Sequence, residues 1–232
     1  MDAAEYRKPC TEINRFTAGE KTVTVYKGTK EDSVVYFNTY GEQGEEVWDI
    51  MRGCGASLVT IADLDWNRDM SPWEAPAAVR GDEPFSGGAW EYLSLMLNEI
   101  VPKSEEMLGV VSHSQRGIAG YSMAGMFALY ALYHTDIFTE AASVSASLWF
   151  PGFKDYVFSH EMKVKPNKLY FSLGDAESKT RNQYLRTVRE NTETIECFYR
   201  EKGIETVFKL NRGGHFSDAP KRAADGIMWI CK

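Results

Sequence analysis

Residues 120–125 read Gly-Tyr-Ser-Met-Ala-Gly, and this stretch constrains the fold more than any other part of the 232-residue chain. The residues before it are typical of the end of a buried strand, and residues 123–132 are rich in helix formers. Small residues at Gly120 and Ala124 let the backbones of strand and helix approach closely. Strings of this type are common, but this context predicts a sharp strand-turn-helix bend that presents the hydroxyl of Ser122 at a helix N-terminus.

The rest of the chain alternates between β-rich runs and segments with helical spacing. The first two predicted strands are separated by a short polar turn and are expected to form an antiparallel pair. Pro102 is expected to close the helix that precedes it. The predicted strands cover residues 22–27, 33–37, 57–62, 116–119, 141–145, 168–173 and 206–210, and the predicted helices cover residues 45–51, 89–100, 123–132, 182–202 and 220–230. This alternation predicts one α/β domain over residues 1–232, with a mostly parallel central sheet and helices on both faces.

Composition excludes several classes of partner. The net charge of −7 and the lack of a Lys/Arg-rich run argue against nucleic acid or a membrane surface as a partner. No basic leader opens the chain and no apolar run is long enough for a membrane span. The four cysteines, Cys10, Cys54, Cys197 and Cys231, are far apart in the sequence, which is typical of reduced thiols. We expect a cytoplasmic protein, and the sequence leaves a homo-oligomer open.

The ligand site of such a sheet lies beyond the carboxyl ends of its strands. A serine nucleophile needs a base there, and His215 is the best candidate because Gly213 and Gly214 follow the last strand and free the backbone to turn. His113 lies at the amino end of the strand before Ser122. His134 and His160 lie in helical stretches and are expected to be packing or surface residues.

The base in turn needs a carboxylate to orient it. The predicted strand 168–173 ends in Gly174-Asp175-Ala176-Glu177, so two acids compete for this role. We favour Glu177, because a loop that leaves the strand at Gly174 needs a few residues to arch toward the histidine. Asp175 remains an alternative.

These residues resemble a known family. Residues 120–125, 143–149, 174–177 and 214–216 are similar to the esterase-D-like group of α/β-hydrolases, which includes S-formylglutathione hydrolases, feruloyl and acetyl xylan esterases, siderophore esterases and mycolyltransferases. The resemblance covers residues 34–230 and implies that Ser122 is the nucleophile, His215 the base and Glu177 the acid. Ala124 replaces the family's usual glycine, and Asn38-Thr39 replaces its usual His-Gly or Asp-Gly after the third strand.

An acyl-transfer site also needs two donors for the oxyanion. The first is expected to be the backbone N–H of Met123, which follows the nucleophile at the helix N-terminus. The second is expected to come from the loop after residues 33–37, with the Tyr40 N–H favoured. The alternative for Tyr40 is that its ring packs.

A connection over residues 63–88 shows little helix or strand pattern. Connections of that length inside a compact domain are usually functional lids or disordered, and three prolines, two tryptophans and Phe85 favour order. We expect this lid-like loop to wall a substrate pocket with Trp66 and Trp73, and Trp149 to form the opposite wall. Core packing is the alternative for each tryptophan.

The sequence predicts a serine carboxylesterase that acts through an acyl-enzyme on a small-molecule ester. The short span between residues 145 and 168 leaves no room for a large cap domain, and the open cleft suits short acyl groups on sugar, phenolic or siderophore-like alcohols. No glycine-rich nucleotide loop and no metal-spaced His or Cys pair is present, so neither cofactor nor metal is expected. The alternatives are an acyltransferase with the same triad and a non-catalytic ligand-binding protein.

Overall fold

A computed structural model describes residues 12–41, 43–109 and 115–232. Eight strands form the central sheet, and two further strands of two residues each form a small ribbon. The sheet strands are β1 Ile13–Ala18, β2 Lys21–Tyr26, β3 Ser33–Asn38, β4 Ser57–Ala62, β7 Gln115–Tyr121, β8 Glu140–Val144, β9 Lys168–Gly174 and β10 Glu205–Asn211. The ribbon strands are β5 Glu74–Ala75 and β6 Phe85–Ser86.

The sheet has the order β1-β2-β4-β3-β7-β8-β9-β10. All neighbours from β4 to β10 are parallel, and β2 is antiparallel to both β1 and β4. The mostly parallel sheet predicted from the alternation of strands and helices is thereby confirmed. Because parallel strands share their carboxyl edge, the loops after β3, β7, β9 and β10 emerge at the same side of the molecule.

Helices cover both faces of the sheet, which buries its apolar strands as the sequence requires. The α-helices are α1 Gln43–Met51, α2 Trp66–Asp69, α3 Ala89–Leu95, α4 Val101–Leu108, α5 Met123–His134, α6 Phe153–Ser159, α7 Val188–Glu201 and α8 Ala219–Ile230. Helices α1 and α8 pack on one face, and α3 to α7 contribute to the core on the other. Only α6 lies in the span between β8 and β9, so no large cap is inserted there.

The predicted antiparallel pairing of residues 22–27 with 33–37 is wrong. Strand β2 pairs with β1 and β4, whereas β3 lies between β4 and β7. Every residue of β3 is buried, and such a strand belongs in the middle of a sheet covered on both faces. The hairpin partner of β2 is β1. We did not predict β1, because every second residue of this strand is exposed and its apolar pattern is weak.

The predicted stop at Pro102 is also wrong, because the helix continues through α4. Residues Met96–Ile100 form a π-helical turn, in which the Val101 N–H donates a hydrogen bond to the carbonyl of Met96, five residues earlier. Proline lacks an N–H and its ring clashes with the carbonyl four residues earlier. A widened turn at this point accommodates both, so Pro102 sits at the start of α4 instead of ending the helix.

The connection over residues 63–88 is more regular than its sequence indicated. It contains α2 and the β5–β6 ribbon, and Asp65 caps α2 through its side chain. The Trp73 indole N–H donates to the Pro151 carbonyl at 3.0 Å, and the Asn182 amide donates to the Ala78 carbonyl at 2.6 Å. These contacts fix the connection against the segments that follow β8 and β9.

Candidate active site

The bend predicted at residues 120–125 is present between β7 and α5. Ser122 has φ 61° and ψ −123°, a conformation that non-glycine residues rarely adopt. A Cβ on Gly120 would lie 2.2 Å from the carbonyl group of Ala124, so no larger residue fits there without a shift. The close approach of strand and helix turns the chain sharply and leaves Ser122 at the carboxyl edge of the sheet.

Hydrogen bonds hold this strained residue on both sides. The Ser122 N–H donates to the Val144 carbonyl at 3.0 Å, which ties the bend to β8. The Ser122 carbonyl accepts from Gly125 and Ser147, each at 3.0 Å. The neighbouring strand and the segment after it therefore fix the serine backbone.

The structure brings together Ser122, His215 and Glu177. The distance from His215 Nε2 to Ser122 Oγ is 3.0 Å, and that from His215 Nδ1 to Glu177 Oε2 is 2.7 Å. With Nδ1 donating to the carboxylate, Nε2 faces the serine hydroxyl as a proton acceptor. A chain of contacts of this kind can activate a serine as a nucleophile, and we refer to these three side chains as the serine relay.

Asp175, the alternative acid, contacts the histidine loop elsewhere. Its Oδ1 accepts from the Gly213 N–H at 2.9 Å, and its own N–H donates to the Asn211 carbonyl at 2.8 Å. A Cβ on Gly174 would lie 2.4 Å from the Gly213 carbonyl. The acid loop and the histidine loop are therefore in backbone contact, with Asp175 joining them while Glu177 faces the imidazole.

Arg222, which the sequence analysis missed, lies behind the carboxylate. It is 2% exposed on α8, and its Nη1 lies 3.4 Å from Glu177 Oε1. The same guanidinium donates to the carbonyls of Gly214 and Arg212 at 3.1 and 2.9 Å. Glu177 Oε1 also accepts from the Gly174 N–H at 2.6 Å. A buried carboxylate needs such partners, because burial of an unpaired charge is strongly unfavourable.

Tyr121 is a second residue that sequence reasoning missed. Its hydroxyl donates to the His215 carbonyl and accepts from the Arg222 guanidinium at 3.5 Å. Burial is the main cause that raises the pKa of Tyr121 above its usual value, which keeps the hydroxyl a neutral donor. Tyr121, directly before the serine, thus holds the backbone of the loop that carries His215. The only sign of this role in the sequence is the place of Tyr121 next to Ser122.

The two residues predicted to supply oxyanion donors lie at the carboxyl edge. Met123 is the first residue of α5, so its N–H has no acceptor within the helix. Tyr40 follows β3, where the preceding Thr39 N–H already donates to the Ile61 carbonyl at 3.0 Å. Within the described residues the Tyr40 N–H makes no hydrogen bond. Their role as an oxyanion hole stays a prediction.

The three tryptophans predicted as substrate walls have different surroundings. The Trp66 ring meets the ring of Tyr40 edge-on at 5.4 Å between centroids. Trp73 packs against Phe150, Phe153 and Tyr156. Trp149 lies 6.1 Å from Phe85 of the β6 ribbon strand. Trp66 therefore lies beside the loop after β3, and Trp73 lies among packed aromatic rings. The substrate-binding roles of Trp66, Trp73 and Trp149 stay predictions.

Two aromatic side chains in loops at the carboxyl edge of the sheet are open to solvent. Phe216 follows His215 directly, is 90% exposed, and its ring meets the imidazole edge-on at 5.1 Å between centroids. Tyr40 is 69% exposed. The sequence analysis gave Phe216 no role of its own, although residues 214–216 carry part of the family resemblance.

The other histidines lie away from this cluster or outside the described residues. His134 ends α5 and its Nε2 lies 3.2 Å from the Tyr156 hydroxyl, and His160 follows α6. Burial lowers the pKa of His134 below its usual value, in keeping with a packing residue. His113 lies outside the described residues, as does Cys10.

Searches for other sites gave two findings. The described residues hold no cluster of three or more His, Cys, Asp or Glu side chains that could bind a metal ion. Among the helices of residues 12–41, 43–109 and 115–232, none combines the length and apolar character that a membrane span requires.

Comparison with known proteins gives one family match. The model of the family described as "Putative esterase" matches residues 22–206. The uncharacterized protein YbbA of Bacillus subtilis is 26% identical over 182 residues, which cover 75% of this chain and 73% of that protein.

Similar solved structures include two hydrolases. The siderophore hydrolase EstA of Aspergillus nidulans is 17% identical, covers 100% of this chain and 98% of its own, and has a TM-score of 0.73. The enterobactin and salmochelin hydrolase IroE is 19% identical, covers 95% of this chain and 94% of its own, and has a TM-score of 0.68. At these identities the likeness is one of fold.

The close packing at the bend predicts that Gly120→Ala destabilises the protein. The new Cβ would overlap the Ala124 backbone, and we expect the free energy of unfolding to fall by about 3 kcal/mol. Gly53→Ala is the matched control, because a Cβ at Gly53 meets no atom within 4 Å. Urea denaturation of both variants tests this, and a wild-type midpoint for Gly120→Ala would contradict the packing argument.

The buried ion pair predicts that Arg222→Met is strongly destabilising. Methionine fills part of the space but leaves the Glu177 carboxylate without its cation, and breaking a buried pair in this way costs about 3–5 kcal/mol. Arg189→Met breaks an exposed pair with Glu193 on α7, and we expect a change below about 1 kcal/mol. Equal losses in the two variants, measured by urea denaturation, would show that Arg222 adds nothing beyond a surface charge.

Proposed function

The chain belongs to the esterase family whose model matches it and has an α/β-hydrolase fold; on that premise we propose that it is a serine carboxylesterase with Ser122 as nucleophile. The observation that carries this proposal is the position of His215, whose two ring nitrogens lie 3.0 Å from Ser122 Oγ and 2.7 Å from Glu177. That geometry supports a relay of nucleophile, base and acid in hydrogen-bond contact.

In the first step Ser122 Oγ attacks the carbonyl carbon of the ester. His215 Nε2 accepts the serine proton as the new bond forms, and Glu177 stabilises the resulting imidazolium. Arg222 and the Gly174 N–H hold the other carboxylate oxygen, Oε1, so that Oε2 points at His215. Arg222 is thus a positioning residue that acts through Glu177.

The tetrahedral intermediate carries its negative charge on the former carbonyl oxygen. The N–H groups of Met123 and Tyr40 are the proposed donors, each contributing on the order of 3 kcal/mol to transition-state stabilisation. The position of Met123 as the first residue of α5 supports this role, because the helix dipole also favours an anion there.

The imidazolium then gives its proton to the leaving alcohol, and the acyl group stays on Ser122. Water, activated by His215, hydrolyses this acyl-enzyme and regenerates the serine. No cofactor takes part in the proposed reaction. An acyltransferase would follow the same first step with an alcohol in place of water.

We propose short acyl esters of bulky sugar, phenolic or siderophore-like alcohols as substrates. The span between β8 and β9 holds only the short helix α6, so no large cap domain is inserted there to cover Ser122. The exposed rings of Phe216 and Tyr40 supply apolar surface on which an aromatic alcohol can stack. The siderophore hydrolase EstA, which has a similar fold, gives further support.

We predict that Ser122 is the only serine that reacts with a fluorophosphonate probe. Ser122→Ala should abolish labelling, because the activated hydroxyl is gone. Ser147→Ala is the matched control: its Oγ lies 3.3 Å from Ser122 Oγ but contacts no histidine among the described residues, so labelling should persist. Intact-protein mass spectrometry reads the adduct. Labelled Ser122→Ala, or a wild type that does not react, would overturn the proposal, and the latter would favour a ligand-binding protein.

The two acids of the loop after β9 should differ sharply. Glu177→Gln removes the charge that stabilises the imidazolium, so we expect kcat/KM for 4-nitrophenyl acetate to fall at least about a thousandfold. In Asp175→Asn the amide oxygen can still accept from the Gly213 N–H, so a loss below about tenfold is expected. The reverse pattern would move the acid to Asp175, and two mild effects would indicate a serine-histidine dyad.

A further inference from the structure

Two cysteines that are far apart in the sequence meet on the face of the sheet opposite to α5. Cys54 ends the 3-10 turn Arg52–Cys54 that follows α1, and Cys231 directly follows α8. Helices α1 and α8 pack side by side, and both cysteines adjoin the same apolar cluster. The Cys231 thiol is near enough to Cys54 to act on the pKa of its thiol, and neither cysteine is in a disulfide.

Lys30 bridges the two segments that carry these thiols. Its backbone N–H donates to the Gly55 carbonyl at 2.9 Å, next to Cys54, and its ammonium lies 3.4 Å from the Cys231 carbonyl. Gly28 reinforces the same junction, since a Cβ there would lie 2.2 Å from the Gly55 carbonyl oxygen. The contact between the two segments is thus built into the backbone and does not depend on the thiols alone.

The surroundings of the two sulfur atoms differ. The hydrogen bond from the Cys231 thiol is the largest cause that lowers the pKa of Cys54 from its usual value, and the Ala56 amide and the Lys30 charge act in the same direction. The same contact and burial raise the pKa of Cys231. Cys54 is also the half-buried member, whereas Cys231 is buried. The reachable sulfur is therefore the one that more readily becomes a thiolate, and the thiolate is the reactive form.

We propose that Cys54 and Cys231 are a second reactive site of this protein, a dithiol that peroxide converts to a disulfide. This site is chemically independent of the Ser122 relay. Cys54 is the attacking residue and Cys231 the resolving residue.

The reaction balances with hydrogen peroxide as the oxidant. The Cys54 thiolate attacks one peroxide oxygen, the O–O bond breaks, and with one proton the products are a sulfenic acid and water. The Cys231 thiol then displaces the hydroxyl group of the sulfenic acid, which forms the S–S bond and releases a second water. Each sulfur gives up one electron in total, and the two electrons reduce the peroxide.

The bond would join the far ends of two helices that begin at the carboxyl edge of the sheet. Helix α1 starts shortly after Tyr40, and α8 starts four residues after His215 and carries Arg222. A helix of 12 residues is about 18 Å long, so the crosslink lies well away from Ser122. We therefore expect oxidation to tie α1 to α8 without blocking the serine.

The test uses the wild-type protein at pH 7 with a small molar excess of hydrogen peroxide, followed by denaturation and alkylation with iodoacetamide. We expect a mass loss of two hydrogen atoms, two fewer alkylated cysteines, and a peptide that links Cys54 to Cys231 and disappears with dithiothreitol. The urea midpoint of the oxidised protein should rise and return on reduction, because a disulfide restricts the unfolded chain. Unlinked Cys54 and Cys231 after this treatment would overturn the proposal.

Matched variants separate the roles of the two thiols. In Cys231→Ser the oxidation should stop at a sulfenic acid on Cys54, trapped as a dimedone adduct. In Cys54→Ser, Cys231 should stay unmodified. Cys10→Ser and Cys197→Ser should form the linked peptide like the wild type. A crosslink from Cys54 to Cys10 or Cys197, or the same product in all four variants, would refute the pairing. Because the readout is the mass of the thiols, it does not depend on whether Ser122 cleaves esters.

Discussion

A buried ion pair between Arg222 and Glu177 is the interaction on which the geometry of the candidate site depends. Both side chains are almost fully buried, and a carboxylate in that setting is stable only with its cation and hydrogen bonds in place. The guanidinium also binds two carbonyls of the histidine loop. One cation therefore sets the position of the carboxylate and of the backbone that carries His215. Through it, the packing of α8 on the sheet determines the alignment of the serine relay.

The features that could be predicted are those determined by residues close together in the sequence. The bend at Ser122 follows from small residues at fixed spacing, which let the strand and the helix approach closely at Gly120 and Ala124. The mostly parallel sheet follows from alternating strands and helices. The glycine at the end of β9 and the two glycines shortly after β10 marked the loops of Glu177 and His215, and the structure places both side chains in contact. In each case the information lies within a few residues of the position concerned.

The parts that escaped prediction depend on partners distant in sequence. Strand β3 looks like a hairpin partner for β2, yet it lies one strand away because β4 inserts between them. The π-helical turn before Pro102 depends on how one long helix packs. Arg222 sits on an amphipathic helix, where nothing local distinguishes a buried guanidinium from a surface one. Cys54 and Cys231 look unrelated in the chain, and only the contact of α1 with α8 brings them together.

The place of Arg222 in the chain has a consequence for protein synthesis. Helix α8 follows every strand of the sheet, so Ser122, Glu177 and His215 all leave the ribosome before the guanidinium that neutralises the carboxylate. Domains fold as units while the chain is made from its N-terminus. A ribosome-bound chain that stops before α8 therefore contains the serine but not the assembled relay. The order of synthesis therefore delays assembly of the serine relay until α8 docks on the sheet.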